Sequence, residues 1–346
     1  LRYRRVDIPI RSNIHRHLHF LTRLYFYLHL TIFSPKGRSV LRMRLGVLDV
    51  GSNTIHLQVV DAHRGAQPIP ATSHKTELHL TDYLDANGSI TIDGIQALTS
   101  IIKAAMAEAA KFQSEEILTF ATSAIRDATN GERVINHINE NCGIELSVLS
   151  GEEEARFTFL AARRWFGWSS GDLTVIDIGG GSLELATGRD EEPALALSLP
   201  LGAGRLTHKF LKEDPFTSKS ARELEDYIDE YLETPAAALS EHEVDKVVGT
   251  SKTLRTLAKM SQDWLGDSEK RLTRDCLDEM VPKLLKMKAA ERNELPGVSK
   301  TRAHQIVAGA MVARQTLHAI GVAEIQICPW ALREGVILKR LDWLEI

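Results

Sequence analysis

Apolar runs recur along the chain, and two of them share the same sequel. Leu45–Leu48 leads into Asp49-Val50-Gly51-Ser52-Asn53-Thr54, and Leu173–Ile176 leads into Asp177-Ile178-Gly179-Gly180-Gly181-Ser182. Alternating apolar residues follow each: Ile55, Leu57 and Val59 in the first, Leu183 and Leu185 in the second. That pattern predicts a strand, a tight glycine turn and a strand, twice. The glycines can take positive φ and let the backbone approach closely. An Asp ending a strand, followed by a glycine turn, suits a phosphate and its metal ion. The duplication predicts two similar domains with a phosphate-binding cleft between them.

The rest of the pattern fills in around these hairpins. The first hairpin continues to Asp61, and residues 62–90 read as a polar loop region with turn signals at Pro68, Pro70 and Asn87-Gly88. Ile95, Leu98, Ile101, Ile102 and Ala105 share one face of a helix from Asp93 to Phe112. A short strand is expected over 117–121, and Thr122 to Asn130 leads into a helix ending near Asn141. A strand over 145–149 precedes a helix that starts at Ser150-Gly151 and runs to about Trp165. After the second hairpin come a strand over 194–199 and then mostly helices from Ser218, interrupted by a strand over 244–249. A helix over 299–320, a strand over 324–327 and a helix over 331–341 complete the chain. Helices alternating with strands and hairpins give an α/β fold with mixed sheets in two related halves.

Composition sets the outer bounds. The 346 residues suffice for two domains, and 43% hydrophobic with 25% charged residues is ordinary globular composition. Cys142, Cys276 and Cys328 are far apart and odd in number, so a disulfide framework is not expected and a reducing, cytoplasmic setting is. The formal net charge of −4 conceals an asymmetry: residues 1–44 carry ten Lys/Arg and one acid, Asp7. That leaves 32 basic and 45 acidic residues in 45–346, a net −13, which argues against a nucleic-acid binder. A polyanion bound there would need locally aimed donors, cations and metal. Residues 15–33 are too polar for a membrane span, and no membrane partner is expected. His15, His17 and His19 alternate without a metal-site pattern, and residues 1–44 read as a dispensable extension, with deletion of residues 1–42 expected to leave activity intact.

Several residues could carry chemistry. Gly51, Ser52, Asn53, Thr54, Gly179, Gly180, Gly181 and Ser182 would offer N–H or hydroxyl donors to phosphate oxygens; ordinary β-turns are the bland alternative. Asp177 and Glu184 lie seven apart across the second hairpin, where carboxylates can hold Mg²⁺ or Mn²⁺ against phosphate, and Asp49 could do the same at the first. Taken alone, Glu184 could equally be an exposed hairpin residue. Glu152, Glu153 and Glu154 form an acidic run at a helix start, which usually only complements the helix dipole. The fork of Arg126 suits two phosphate oxygens, although a surface ion pair with Asp127 would also explain it. Arg205 and Lys252 are further phosphate candidates, whereas Arg333 and Glu334 fit a structural ion pair equally well.

Five ordered motifs, GVLDVGSNTIHL (46–57), ATSAIRDATN (121–130), SGEEEAR (150–156), VIDIGGGSLEL (175–185) and ALREGVIL (331–338), carry a resemblance over about residues 44–342. The chain resembles the exopolyphosphatase/guanosine pentaphosphate phosphohydrolase family, in its short, two-domain form. The resemblance implies two related domains of the actin/Hsp70/sugar-kinase superfold, ribonuclease H-like, around a phosphate-binding cleft. It implies domain I over 45–158, domain II over 159–330, and a C-terminal helix over 331–346 that returns to domain I. It assigns metal binding to Asp177 and Glu184, and catalysis to Glu154, the Glu before Ala-Arg, with Glu153 as the fallback. A homodimer is implied by the resemblance alone. Two departures stand out: Lys252 where many members have Gly, and His304 and Gln305 where an acid is more usual.

The leading expectation is metal-dependent removal of the terminal phosphate of inorganic polyphosphate. Hydrolysis of guanosine pentaphosphate is the close alternative; a long polyphosphate would want a basic groove leading away from Glu154, a nucleotide an apolar slot. A kinase of the same superfold lacks a recognisable acceptor motif, and a phosphate or alarmone sensor would not need Asp177, Glu184 and Glu154 intact. A dinucleotide-dependent dehydrogenase is excluded because no GxGxxG opens a helix after the first strand.

Overall fold

Residues 43–63, 67–268 and 270–343 are described by a computed structural model. The expectations for the basic extension and its histidines lie outside these residues, except that Met43 and Arg44 already belong to the first strand. In the first sheet β1 (Met43–Val50), β2 (Thr54–Ala62) and β3 (Pro70–Glu77) are antiparallel neighbours. β4 (Glu116–Ala121) runs parallel to β1, and β5 (Ser147–Val148) parallel to β4, giving the order β3-β2-β1-β4-β5.

The second sheet repeats this plan. β6 (Leu173–Ile178), β7 (Leu183–Gly188) and β8 (Leu195–Leu199) form the antiparallel meander. β9 (Lys246–Gly249) lies parallel to β6, and β11 (Glu324–Ile327) parallel to β9. Reading β8-β7-β6-β9-β11 reproduces the first sheet's order, and β10 (Arg271–Thr273) adds an antiparallel edge. The repeated turn thus marks a repeated topology, the ribonuclease H-like one expected for each half.

Helices fill the crossovers. Thr91 caps the helix Ile92–Lys111, whose Leu98, Ile102, Ala105 and Ala109 face the first sheet's Leu57 and Val59. The helices that follow each sheet are exchanged between lobes. The helix Gly151–Phe166 follows β5 but packs Ala155, Phe159 and Ala162 against Leu173, Val175 and Ala186 of the second sheet. Residue 158, the expected end of domain I, lies within it. The helix Leu332–Asp342 follows β11 but packs Ile337 and Leu341 against Leu45 and Val47 of the first sheet. The two exchanged helices also touch: a Cβ on Gly335 would overlap the Phe157 carbonyl, so only glycine permits this approach.

Three expectations are corrected. Residues 62–90 are not all loop, because Pro70–Glu77 pairs with β2. The helix expected over 299–320 spans Ile306–Ala319, preceded by a single 3₁₀ turn at Lys300–Arg302. The strand expected over 145–149 shrinks to two residues. Among the described residues, no helix is long and apolar enough to cross a membrane.

Candidate active site

The carboxyl ends of β1, β4, β5, β6, β9 and β11 point to one cleft, where ligands bind in open α/β sheets. In both hairpins the turn is closed the same way. Gly51 donates its N–H to the Thr54 carbonyl at 3.0 Å, and Gly179 donates to the Ser182 carbonyl at 2.9 Å. These two donors are therefore engaged within their turns rather than aimed at a ligand. The glycines are also needed for a different reason than expected. None of Gly51, Gly179, Gly180 and Gly181 has positive φ. What excludes side chains is proximity: a Cβ on Gly180 would lie 2.6 Å from Asn53 Nδ2, and one on Gly181 would overlap Ser123 Oγ and lie 2.9 Å from Ser52 Oγ. The two loops face one another across the cleft.

Helix geometry separates the three glutamates. Ser150 Oγ accepts the Glu153 N–H at 3.2 Å, and Glu153 Oε2 accepts the Ser150 N–H at 2.8 Å, a reciprocal capping box. Glu152 accepts from Arg156 at 2.7 Å, one turn along the helix. Glu154 turns inward, 6% exposed, and pairs with Arg126. Arg126 follows β4 in the short helix Ser123–Arg126 and also donates to the Leu149 carbonyl at 3.0 Å and to Asp127 at 3.2 Å. The ion pair expected with Asp127 is present, and the fork of Arg126 serves Glu154 at the same time. Asp127 in turn pairs with Arg205, which donates to the Gly181 carbonyl at 2.7 Å. Glu154, Arg126, Asp127 and Arg205 form a continuous chain across the cleft. Beside it lies a cavity of about 400 Å³ lined by Arg126, Asp127, Gly151, Ser182 and Ser198. A larger one, about 840 Å³, lies between lobe II helices away from this chemistry, with its Arg314 and Gln315 already paired to Glu225 and Asp229.

Four carboxylates converge on the cleft. Glu184 is 5% exposed, which removes the exposed-hairpin explanation, and accepts from Ser198 at 2.9 Å. Asp177 accepts from Thr250, and Asp49 from Arg333 at 3.1 Å. Burial pushes Glu154 well above the usual carboxylate range; the Glu184 charge adds to this and Arg126 opposes it. Burial, then the Asp177 charge, pushes Glu184 up to about 7. Burial also raises Asp49 against the opposing Arg333, and Asp177 against its Thr250 hydrogen bond. Mutually raised, buried oxygen ligands suit a hard divalent cation that would relieve their repulsion. Among the described residues no group of three or more acids, histidines or cysteines is placed to hold a metal ion directly, so some of these carboxylates would reach it through water. The donor set thus fits a Mg²⁺-type ion that keeps waters and takes oxygen ligands from a substrate.

The remaining candidates lie on the other side of the glycine loops. Asn53 and Gln305 exchange amide hydrogen bonds at 2.9 and 3.2 Å across the lobes, so the unusual Gln305 meets the first loop. Lys252, at the start of the helix Lys252–Leu265, does not join Arg126 and Arg205; it faces Arg302, Arg255, Lys259 and Lys75. Sequence reasoning passed over Asp127, Thr250 and the pairing of Arg333 with Asp49. The signal for Thr250 is its place directly after β9 at the cleft, and that for Asp127 its place beside Arg126.

Comparison with known proteins agrees with this geometry. Residues 59–343 match the Ppx/GppA phosphatase family. The chain belongs to this family. The Mycobacterium tuberculosis protein named exopolyphosphatase 1 is 48% identical over 305 residues, covering 87% of this chain and 89% of that protein. The crystal structure of an Aquifex aeolicus Ppx/GppA family member superposes with a TM-score of 0.73 at 25% identity, covering 88% of this chain and 99% of that one. An exopolyphosphatase structure from Cytophaga hutchinsonii shares the fold with a TM-score of 0.79 at 24% identity, covering 88% of this chain and 99% of that one. The Ppx/GppA fold therefore extends over both lobes described here.

Proposed function

We propose that this Ppx/GppA protein is an exopolyphosphatase, releasing orthophosphate from the end of inorganic polyphosphate. The observation that carries the reading is Glu154: a buried carboxylate at a helix start, held by Arg126 beside two facing glycine loops. In the proposed reaction Glu154 orients a water for in-line attack on the terminal phosphorus and accepts its proton. The new bond joins water oxygen to phosphorus, the bridging P–O bond breaks, and the shortened chain leaves as an anion. Phosphoryl transfer asks mainly for positioning and charge neutralisation. Arg126, Arg205, Ser52 and the Gly180–Ser182 turn would hold the terminal phosphate. Arg126 and Arg205 would exchange Glu154 and Asp127 for phosphate oxygens. Burial raises the proton affinity of Glu154, which strengthens it as a base when ionised. Asp49, Asp177 and Glu184 would hold Mg²⁺ or Mn²⁺, which when bound neutralises charge developing on the phosphate oxygens.

The test is phosphate release with Mg²⁺ and with Mn²⁺ from short polyphosphate, long polyphosphate, guanosine pentaphosphate and ATP under one set of conditions. Release chiefly from polyphosphate is expected. Release chiefly from guanosine pentaphosphate would replace the substrate, and release from none would overturn the enzymatic reading.

A further inference from the structure

One carboxylate at the reaction centre has no part in the chemistry proposed above. Asp127 directly follows the short helix Ser123–Arg126 of lobe I, and its side chain is 39% exposed. The other acids of the cleft are buried and held elsewhere: Asp49 by Arg333, Asp177 by Thr250 and Glu184 by Ser198. Asp127 instead divides its two oxygens between arginines of different lobes. Its Oδ1 accepts from Arg126 Nε at 3.2 Å, and its Oδ2 accepts from Arg205 Nη2.

Both arginines are anchored independently of Asp127. Arg126 donates to the Leu149 carbonyl at 3.0 Å and pairs with Glu154. Arg205 sits on the second glycine loop, its backbone N–H donating to the Gly180 carbonyl at 3.0 Å and its Nε to the Gly181 carbonyl at 2.7 Å. Asp127 is therefore not needed to bring the two guanidinium groups to the cleft. A carboxylate and a phosphate offer guanidinium N–H groups the same kind of oxygen pair. Asp127 thus takes the position of a phosphate edge, beside the cavity of about 400 Å³ that Arg126, Asp127, Ser182 and Ser198 help to line.

Three contacts join the lobes around the cleft, and they differ in kind. Asn53–Gln305 joins amide to amide, and Thr301–Glu77 joins hydroxyl to carboxylate. Of the three, Asp127–Arg205 is the one that occupies a candidate phosphate ligand. The side chain of Arg205 is itself 34% exposed, and ion pairs this open to solvent are weak. A phosphate can displace the carboxylate. Asp127 nevertheless stays beside it, because it is bonded in sequence to Arg126, and from there its charge repels the anion that displaced it.

We infer that Asp127 is a built-in competitor for the product. Its carboxylate holds Arg126 and Arg205 between turnovers, yields them to the terminal phosphate, and takes them back as orthophosphate leaves. Asp127 thereby lowers the affinity of the site for orthophosphate and speeds its release. The inference rests on the exopolyphosphatase reading for the reaction, and on the two arginines alone for the anion site.

The test measures orthophosphate binding by titration calorimetry, and phosphate release from polyphosphate with orthophosphate added as inhibitor. The proteins are the full chain, Asp127→Asn, Asp127→Glu, and Glu140→Gln as a control that removes the same charge from the far end of the helix Gly131–Cys142. Asp127→Asn keeps the shape and loses the charge. It should bind orthophosphate at least about five-fold more tightly, because a like charge beside the anion is gone. Its inhibition constant for orthophosphate and its KM should fall together, with kcat no higher than the parent's. Asp127→Glu and Glu140→Gln should both stay within about two-fold of the parent. Weaker or unchanged orthophosphate binding in Asp127→Asn would overturn the inference, since a carboxylate that merely props the arginines would weaken binding when removed. Equal tightening in Glu140→Gln would overturn it too, by assigning the effect to net charge. Phosphate release keeps the two readings apart. A parent that releases no phosphate, with Asp127→Asn still binding orthophosphate more tightly, contradicts the enzymatic reading and supports the competitor. Normal release by the parent, with binding unchanged in Asp127→Asn, contradicts the competitor alone.

Discussion

At the start of the helix Gly151–Phe166, Glu153 turns back to Ser150, Glu152 reaches forward to Arg156, and Glu154 faces the cleft. Sequence chemistry alone sees three equal carboxylates; the capping box decides which is free to act. The same scale governs Glu184. Its folded pKa of about 7 lies above the ordinary 4.5 because burial, then Asp177, favours the protonated form. An acid raised in this way stabilises the fold fully below about pH 4.5 and loses that contribution as pH rises towards 7. A divalent cation competes with that proton and offsets the loss. The rise in melting temperature produced by Mg²⁺ should therefore grow between pH 5 and pH 8, and Glu184→Gln should flatten it. Thermal unfolding with and without Mg²⁺ across this range checks it, and a shift independent of pH would remove Glu184 from the metal site. The place of Asp49 and Asp177 at the cleft was legible because each stands at the end of a strand before a repeated turn. The partners paired across each hairpin, His56 to Asp49 and Glu184 to Asp177, depend on strand register, which one sequence does not state.

At the level of elements, the strand–turn–strand repeat was readable, and the reason for its glycines was not. Positive φ is a local property that sequence suggests; contact between two turns remote in the chain is a tertiary one. Gly181→Ala should therefore fold, since its φ is not left-handed, yet push Ser123 and Ser52 away from the loop. A loss of at least about ten-fold in kcat/KM is expected, or about 1.4 kcal/mol in transition-state stabilisation. Steady-state kinetics beside circular dichroism checks this, and unchanged kinetics would mean the loops need not meet. β3 escaped detection because Pro70-Ala-Thr-Ser-His-Lys-Thr-Glu lacks an alternating apolar face; as an exposed edge strand it is held mainly by backbone pairing to β2. The helix before β11 was drawn too long because Lys300–Gln305 is polar and turn-forming, and its last residue is spent on Asn53.

Across the whole molecule, two copies of one topology have exchanged the helices that follow them. The exchange places Glu154, from the chain leaving the first sheet, against the second lobe, and Arg333, from the chain leaving the second, against Asp49 of the first. Asn53–Gln305, Thr301–Glu77 and Asp127–Arg205 join the lobes around the cleft, so a bound phosphate chain would meet donors from both. Two related halves and a cleft were foreseeable from the duplication, whereas the helix exchange was not, since apolar periodicity gives a buried face without naming its partner. The most direct measurement compares Glu154→Gln with Glu153→Gln for Mg²⁺-dependent phosphate release and for polyphosphate binding. Glu154→Gln should lower kcat by about 10²–10⁴-fold, the range for loss of a general base, while still binding polyphosphate. Glu153→Gln should keep most of the turnover and most of the stability, since a glutamine amide oxygen still accepts the Ser150 N–H. Normal turnover in Glu154→Gln with weakened binding would contradict the account.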